Sequence, residues 1–429
     1  KIGNDFEIEW MHVTHSIIDS SCIAIKTAAG TMIHTGDFKI DHTPYDGFPT
    51  DIHRLAHYGE EGVLVMTSDS TNSHSPGFTK TEKAVGPTFE RIFATATGRV
   101  IMSTFSSNIH RVAQAIEKAL KYGRKICVIG RSMEKNLDIS MTLGYIKFPK
   151  DQFIEAHEIN KYTDKEIMIV TTGSQGESMS ALYRMAIHEH RHVKIKPEDQ
   201  IILSAKAIPG NEGSVSEIIN HLLKAGAKVA YQDFADIHVS GHAAQEEQKL
   251  MLRLVKPKFF LPVHGEYNHA LKHGETGVDC GVLERNVYVM ADGEQIEVNP
   301  KYLKKVKTVK SGKVYIDNQL NHKISDDVVI DRQTMAKEGI VMIVAQINEN
   351  DRTLASKPKV ATFGFISDKQ DRFFTNEIEE ILNTFLVNAK PGIFKNSRIL
   401  EDELRKVVRK HCVRKYKKYP MIVPTIFVQ

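Results

Sequence analysis

Residues 238–266 read HVSGHAAQEEQKLMLRLVKPKFFLPVHGE, and this run of loop, helix and strand decides the fold. The small polar loop HVSGHA leads into a stretch where Leu250, Leu252, Leu254 and Val255 alternate with charges, which reads as a helix. After a Lys-Pro break, KFFLPV (258–263) is short, apolar and strand-like. It ends at His264, Gly265 and Glu266. His242 and His264 therefore mark a loop before a helix and a loop after a strand. The first kind of loop offers backbone N–H groups to an anion. The second is where open α/β folds carry their chemistry. Taken alone, either histidine is an ordinary polar loop residue. The pairing, with glycine beside each, is what suggests a site.

Upstream, residues 1–77 read as strands and turns. A strand at 22–26 turns at 28–30 into a partner at 31–34 that ends in TGD, and a strand at 63–67 delivers Asp69. His15 precedes these strands and Asp37 follows the second. Ionisable residues on strand rims suit a metal site, because strands fix ligands while loops leave a position open. Asp37 equally suits a turn after Gly36, and Asp69 a cap with Ser70 and Thr71.

Residues 78–235 change character. Strands at 99–103, 125–129, 167–171, 200–204 and 228–231 alternate with helical patterns, the clearest at 108–122. That order implies a parallel sheet. Four of these strands end in small-residue loops, TFSSN, IGRS, TTGSQGE and SAKAIPGNE, on the ligand-binding edge of such a sheet. TTGSQGE lacks the GxxxxGK[ST] pattern, so nucleotide hydrolysis is not the reading. Residues 236–320 return to the β style. A hairpin is expected around Ala291, Asp292 and Gly293 between VYVM and QIEV, then a lysine-rich linker at 304–313. From about residue 327 a third unit carries strands at 341–347 and 361–364, helices at 376–387 and 400–412, and the final strand PMIVPTIFV. Eight Lys or Arg lie between 405 and 418. RNA contact is one reading. A solvated helix face over a stripe of Leu400, Leu404, Val407 and Val408 is the favoured one.

HVSGH followed by PVHGE, together with THSIID (His15), TGDFK (Asp37), SDSTN (Asp69), FSSNIHR, TGSQGE and DRQTMAKEGIVMIV, resembles the β-CASP branch of metallo-β-lactamase-fold nucleases, in the family's order. The closest resemblance is to the ribonuclease J family, and it covers nearly the whole chain. It implies an α/β fold. A metallo-β-lactamase αββα sandwich with an incomplete N-terminal lobe (1–77 and 236–320) is interrupted by a β-CASP domain with a parallel sheet (78–235). A small α+β C-terminal domain follows (325–429).

By this resemblance the protein is a ribonuclease of RNA maturation and decay. It acts as a 5′→3′ exonuclease preferring a 5′ monophosphate and as an endonuclease, by two-metal phosphodiester hydrolysis. Two divalent ions are implied, Zn²⁺ with Mn²⁺ or Mg²⁺ as alternatives. Asp37 would bridge them, with His15 on one and His264 on the other. His242 would donate the proton to the leaving 3′ oxygen, and Asp69 would hold a neighbouring histidine or the nucleophilic water. His238, Ser240, Gly241 and His242 would take the 5′ phosphate, while Ser106, Ser107, Ser174 and Gln175 would line the path of single-stranded RNA. A homodimer or homotetramer through the C-terminal domain, an RNA helicase partner and a cytoplasmic location are also implied. The family's HxHxDH pattern, upstream of the THS histidine in relatives, does not occur in these 429 residues. The expectation is that the parent protein carries it and that this stretch alone is inactive. The competing readings are a catalytically incomplete RNA-binding scaffold of a decay complex, and a small-substrate hydrolase such as a thioester hydrolase. The inserted αβ domain argues against the last.

Composition agrees. The chain is 41% hydrophobic and 26% charged with net charge +4, so a nucleic-acid role needs a local basic channel rather than a global excess. No apolar run reaches the ~18–20 residues of a membrane span. The start, KIGNDFEIEW, has no apolar core segment and no Met, so the chain is expected to be part of a longer protein. Four scattered cysteines fit a reducing compartment and no cysteine zinc site. Twenty histidines mildly favour metal chemistry.

Overall fold

A computed structural model describes residues 1–231, 236–317, 322–389, 393–394 and 396–428, with the side chains of 368–372 outside the description. The expected domain ends at 235 and 320 fall outside these residues. The chain forms two compact units, Lys1–Ser311 and Gly312–Gln429.

In the first unit, β1 (Glu7–His12), β2 (Ser21–Thr27) and β3 (Gly30–His34) form an antiparallel meander. Helix α1 (Ile52–Glu61) then leads to β4 (Val65–Asp69), parallel to β3. The inserted segment follows: α2 (Gly86–Thr95), β5 (Val100–Ser103), α3 (Ile109–Lys121), β6 (Lys125–Ile129), α4 (Arg131–Thr142), β7 (Ile167–Thr171), α5 (Ala181–Ala186), β8 (Gln200–Leu203), α6 (Glu212–Lys224) and β9 (Lys228–Ala230). The chain then returns through α7 (Gln245–Val255), β10 (Phe259–Val263) and α8 (Tyr267–Asp279). It adds a hairpin of β11 (Glu294–Val298) and β12 (Leu303–Thr308).

The return joins the two ends of the first layer. Strand β10 pairs in parallel with β4, giving the order β1-β2-β3-β4-β10 across nearly 200 intervening residues. Period-two alternation splits these strands between two cores. Ile33, Met66 and Phe260 face α1 and α7 through Leu55, Tyr58, Met251, Leu252 and Val255. Val65, Phe259 and Leu261 face the β11–β12 hairpin through Ile296, Val298 and Leu303. The α1–α7 crossing depends on Gly59, where an added Cβ would lie 1.9 Å from the Leu254 carbonyl oxygen.

The inserted sheet is fully parallel, in the order β6-β7-β5-β8-β9, with all five strands at the expected places. Its faces bury separate cores, one under α2 and α3 and one under α5 and α6. Successive strands move to opposite sides of β5, so the order reverses between β5 and β8, the place where open α/β sheets carry ligand sites.

The second unit contains short β13 (Ile316–Asp317) and β14 (His322–Lys323), α9 (Asp326–Glu338), β15 (Ile340–Asn348), β16 (Thr353–Leu354), β17 (Lys359–Phe363), α10 (Asp368–Asn388), α11 (Ser397–Tyr416) and β18 (Met421–Val428). Strand β18 pairs in parallel with β15 along eight positions. Leu400, Leu404, Val408 and Cys412 form the buried stripe of α11, while Val407 is 39% exposed. The basic residues lie outside that stripe, as the solvated-face reading requires.

Five expectations need correction. Helix α1 lies where only strands and turns were read; Ile52, Leu55 and Tyr58 recur at helical spacing in IHRLAHYGEE, but the run is short and buries just Leu55 and Tyr58. Strand β1 precedes the expected first strand. VYVM is not a hairpin strand, since it makes only an isolated bridge from Val287 to Phe260; QIEV pairs forward with β12 instead. The lysine-rich linker is partly β12, whose Lys304 and Lys305 face Glu297 and Glu294 of β11. Helix α9 was also missed.

Candidate metal centre

The carboxyl ends of β3, β4 and β10 and the loop before α7 converge on one point. Asp37 follows β3, Asp69 ends β4, His264 follows β10, and His242 sits in the loop. One ligand atom from each of these four residues lies within 4.8 Å of the others. His264 takes a left-handed φ of 61° and Gly265 one of 84°, a turn that aims the imidazole at Asp37, with Nε2 3.6 Å from Oδ1. His15 flanks the group, its Nε2 4.0 Å from Asp37 Oδ2.

The partners assign the protons. His15 Nδ1 lies 2.7 Å from the Gly241 carbonyl. A carbonyl only accepts, so Nδ1 carries the hydrogen and Nε2 keeps its lone pair, which accepts from the Ser16 hydroxyl at 3.1 Å. Burial lowers the pKa of His15 against the pull of Gly241, Asp37 and Asp69, and so favours the neutral ring. His242 Nδ1 lies 2.7 Å from Asp69 Oδ2. Asp69 Oδ1 accepts from the Thr71 N–H at 2.9 Å and its hydroxyl at 2.7 Å. Burial works against this carboxylate, but those bonds and His242 hold its pKa down to about 2. Asp69 is thus ionised and His242 Nδ1 must donate to it. Burial also opposes charge on His242, yet the bond to Asp69 and the carboxylates of Asp69 and Asp37 raise its pKa.

These donors fit a divalent cation. Neutral imidazole nitrogens and carboxylates suit zinc. A carbonyl or carboxylate fixing the far nitrogen of a histidine is the outer-shell arrangement of such sites. Both oxygens of Asp69 are already engaged, so its geometry favours orienting His242 over binding an ion itself, despite its distance from the other ligand atoms.

The HVSGH loop is clamped beside this group. Asn72 Nδ2 donates to Ser240 Oγ and to the His242 carbonyl, both at 2.8 Å, and the Thr79 hydroxyl reaches the same carbonyl at 2.8 Å. Ser240 Oγ also accepts from the His242 N–H at 3.2 Å. With both acceptor positions filled, its own hydrogen is left to donate outward. Gly241 packs so closely on His15 that a Cβ there would lie 2.6 Å from the ring.

The remaining expected residues lie on the inserted domain. Ser106 bonds Asn136 and Ser107 is half-buried. Ser174 and Gln175 are each 4% exposed, and the Gln175 amide is spent on the Lys206 carbonyl and the Ile208 N–H, shaping the next loop. The sequence reading assigned no role to Asn72, Thr79, Glu82 or Arg111. Asn72 and Arg111 lie inside SDSTN and FSSNIHR, so their motifs were visible and their partners were not.

Together, the interrupted α/β layer, the inserted parallel sheet and the His/Asp cluster define a metallo-hydrolase of β-CASP architecture. Residues 97–222 match the ribonuclease J β-CASP domain, 226–289 the zinc-dependent metallo-hydrolase RNA specificity domain, and 327–428 the ribonuclease J C-terminal domain. Similar proteins include ribonuclease J of Helicobacter pylori, 58% identical over 98% of this chain and 61% of that protein. Ribonuclease J 1 of Streptococcus pyogenes is 38% identical over 98% of the chain and 75% of its own length. Ribonuclease J of Thermus thermophilus is 36% identical over 99% and 73%. The chain belongs to the ribonuclease J family. It spans 61% of the length of its Helicobacter relatives. Among the described residues no helix is long and apolar enough to cross a membrane.

Proposed function

We propose that the protein hydrolyses RNA phosphodiester bonds in RNA maturation and decay, as a 5′-monophosphate-preferring 5′→3′ exonuclease and as an endonuclease. The observation that carries this is the Asp69–His242 pair, 2.7 Å apart beside Asp37, His15 and His264. His15, Asp37 and His264 would hold divalent metal, two ions and zinc in this reading. Bound there, metal supplies charge neutralisation on the phosphate and activation of water. Asp69 orients His242 and raises its proton affinity, so His242 Nε2 can deliver a proton to the leaving 3′ oxygen. The Ser240 hydroxyl and Gly241 N–H, ahead of α7, bind the 5′ phosphate. Single-stranded RNA passes over the FSSN and TTGSQGE loops, which follow β5 and β7. The reading includes an interrupted metallo-β-lactamase domain (1–77 and 236–320), the β-CASP insert (78–235) and the C-terminal domain (325–429). It also includes homo-oligomerisation through the last, an RNA helicase partner and a cytoplasmic location.

The test is cleavage of 5′-labelled RNA bearing a hydroxyl, monophosphate or triphosphate by the full-length protein. Each charge-assisted bond contributes about 1.5–3 kcal/mol, roughly ten- to a hundredfold. Ser240→Ala should lower the monophosphate preference by about one such bond and spare internal cuts. His242→Ala should abolish both activities. No dependence on the 5′ group in the wild type, or equal loss of both activities in Ser240→Ala, removes the loop from phosphate sensing.

A further inference from the structure

Arg111 on α3 is fully buried, yet it reaches from the inserted domain to the HVSGH loop. Its Nε and Nη2 donate to Glu82 Oε1 at 2.8 and 2.5 Å, and Nη2 also donates to the Val239 carbonyl at 3.0 Å. Its Nη1 donates to the Ser204 carbonyl at 3.3 Å, at the carboxyl end of β8 where the sheet order reverses, and to His238 Nδ1 at 2.8 Å. A guanidinium has no acceptor and does not lose its proton. His238 Nδ1 therefore accepts, and the hydrogen of the neutral ring is on Nε2. Among the described residues Nε2 has no partner, and it is not sealed from solvent. Val239 is buried while His238 and Ser240 on either side are half-exposed, the alternation of an extended run whose outer side chains share a face.

We propose that Arg111 is a positioning residue that locks His238 in its Nε2–H form, so that the loop presents a fixed, uncharged N–H donor beside Ser240 to a phosphate oxygen of RNA. This deepens the phosphate-sensing reading and rests on it. The groups facing His238 agree with a neutral ring. Burial first, then the charges of Arg111, Lys206 and Lys39, push its pKa down to about 3. The nearby carboxylate, Glu82, is shared between Arg111 and Lys39. A donor that stays neutral adds no charge change of its own to phosphate recognition in the physiological range, whereas an ordinary histidine would.

The experiment uses full-length protein with ¹⁵N-labelled histidine, the His238 resonance being identified by its loss in His238→Gln. The expected result is the Nε2–H tautomer from about pH 5 to about pH 8. A ring that titrates in that window, or carries its proton on Nδ1, overturns the lock. Arg111→Lys keeps a cation for Glu82, but one ammonium cannot also serve His238. The variant should gain a titrating His238 and show a roughly 2- to 10-fold higher KM for 5′-monophosphate RNA, with kcat changed far less. Should that variant fail to fold, His238→Leu should raise KM by the same factor while His238→Gln, which keeps an N–H in place, restores most of it. An unchanged KM in His238→Leu overturns the proposal. If Ser240→Ala also leaves KM unchanged, the phosphate-site reading itself has failed; the tautomer measurement judges the lock separately.

Discussion

Glu82→Gln should destabilise the first unit more than any exposed ion-pair change. Glu82 is 2% exposed, with Oε1 on Arg111 at 2.5 Å and Oε2 3.7 Å from Lys39 Nζ. Lys39 is itself 1% exposed, and burial lowers its pKa against the pull of Glu82 and Asp41. At an effective dielectric near 20, charges ~4 Å apart attract by about 4 kcal/mol. Removing one partner of a buried pair typically costs ~3–5 kcal/mol, because the other charge stays buried without compensation. The glutamine retains a carbonyl acceptor for Arg111, so the lower end, about 3 kcal/mol, is expected. At ~2–4 °C per kcal/mol this is a fall of roughly 6–12 °C in Tm, read by calorimetry on the first transition. Glu90→Gln is the control. Glu90 contacts Lys118, Lys121 and Tyr122, more partners than Glu82 has among its own oxygens, but at the surface. Its loss should stay within measurement scatter. Equal falls in the two variants would refute the claim that burial, not the count of pairs, sets the cost.

Gly241→Ala would push a methyl group to within 2.6 Å of the His15 ring and 2.9 Å of Ser16 Oγ, so the full-length variant should retain less metal by elemental analysis and lose at least ~tenfold in cleavage; full metal content with normal activity would contradict this. His273 is fully buried, bonded through Nδ1 to Ser70, and burial pushes its pKa down to about 3. Its folded pKa lies below the unfolded value near 6.5, so the unfolded state binds the proton first and stability falls as pH drops from ~6.5 towards ~3, by about 2 kcal/mol at pH ~5. Urea midpoints of His273→Leu should show that much less loss between about pH 7 and about pH 5, and an unchanged slope would show that His273 is not the group titrating. Gly59→Ala sets a Cβ 1.9 Å from a backbone oxygen of α7, so α1 must move off; a Tm equal to the wild type would show that the crossing is slack.

The parallel sheet was legible because its strands are short apolar runs buried on both faces, which need no partner to be recognised. Strand β7, IMIVT, is buried at every position. Helix α1 and strand β12 were hidden for the opposite reason. Each buries few residues and takes its structure from a partner: α1 packs on α7, far along the chain, and β12 pairs with the acidic β11 just before it. The pairing of β4 with β10 could be expected only through resemblance, since no local pattern joins strands on either side of a whole inserted domain.

The site shows the same limit at the level of single hydrogens. Its histidines were visible as residue types in loops, but what each can do is decided by one distant partner. A carbonyl 226 positions away takes the Nδ1 hydrogen of His15 and leaves Nε2 a lone pair, the state a metal ligand needs. A carboxylate 173 positions away takes the Nδ1 hydrogen of His242 and raises its pKa, so Nε2 can gain and release a proton. A guanidinium 127 positions away donates to His238 Nδ1 and so reverses the assignment, leaving Nε2–H as a permanent donor. Exchange these partners and the same imidazoles would exchange their chemistry. In the proposed reading, ligand, acid and anchor are therefore properties of the loop's contacts with β4, α3 and the segment after β1, which is why the loop must be clamped by Asn72 and Thr79 before any of its histidines has a defined function.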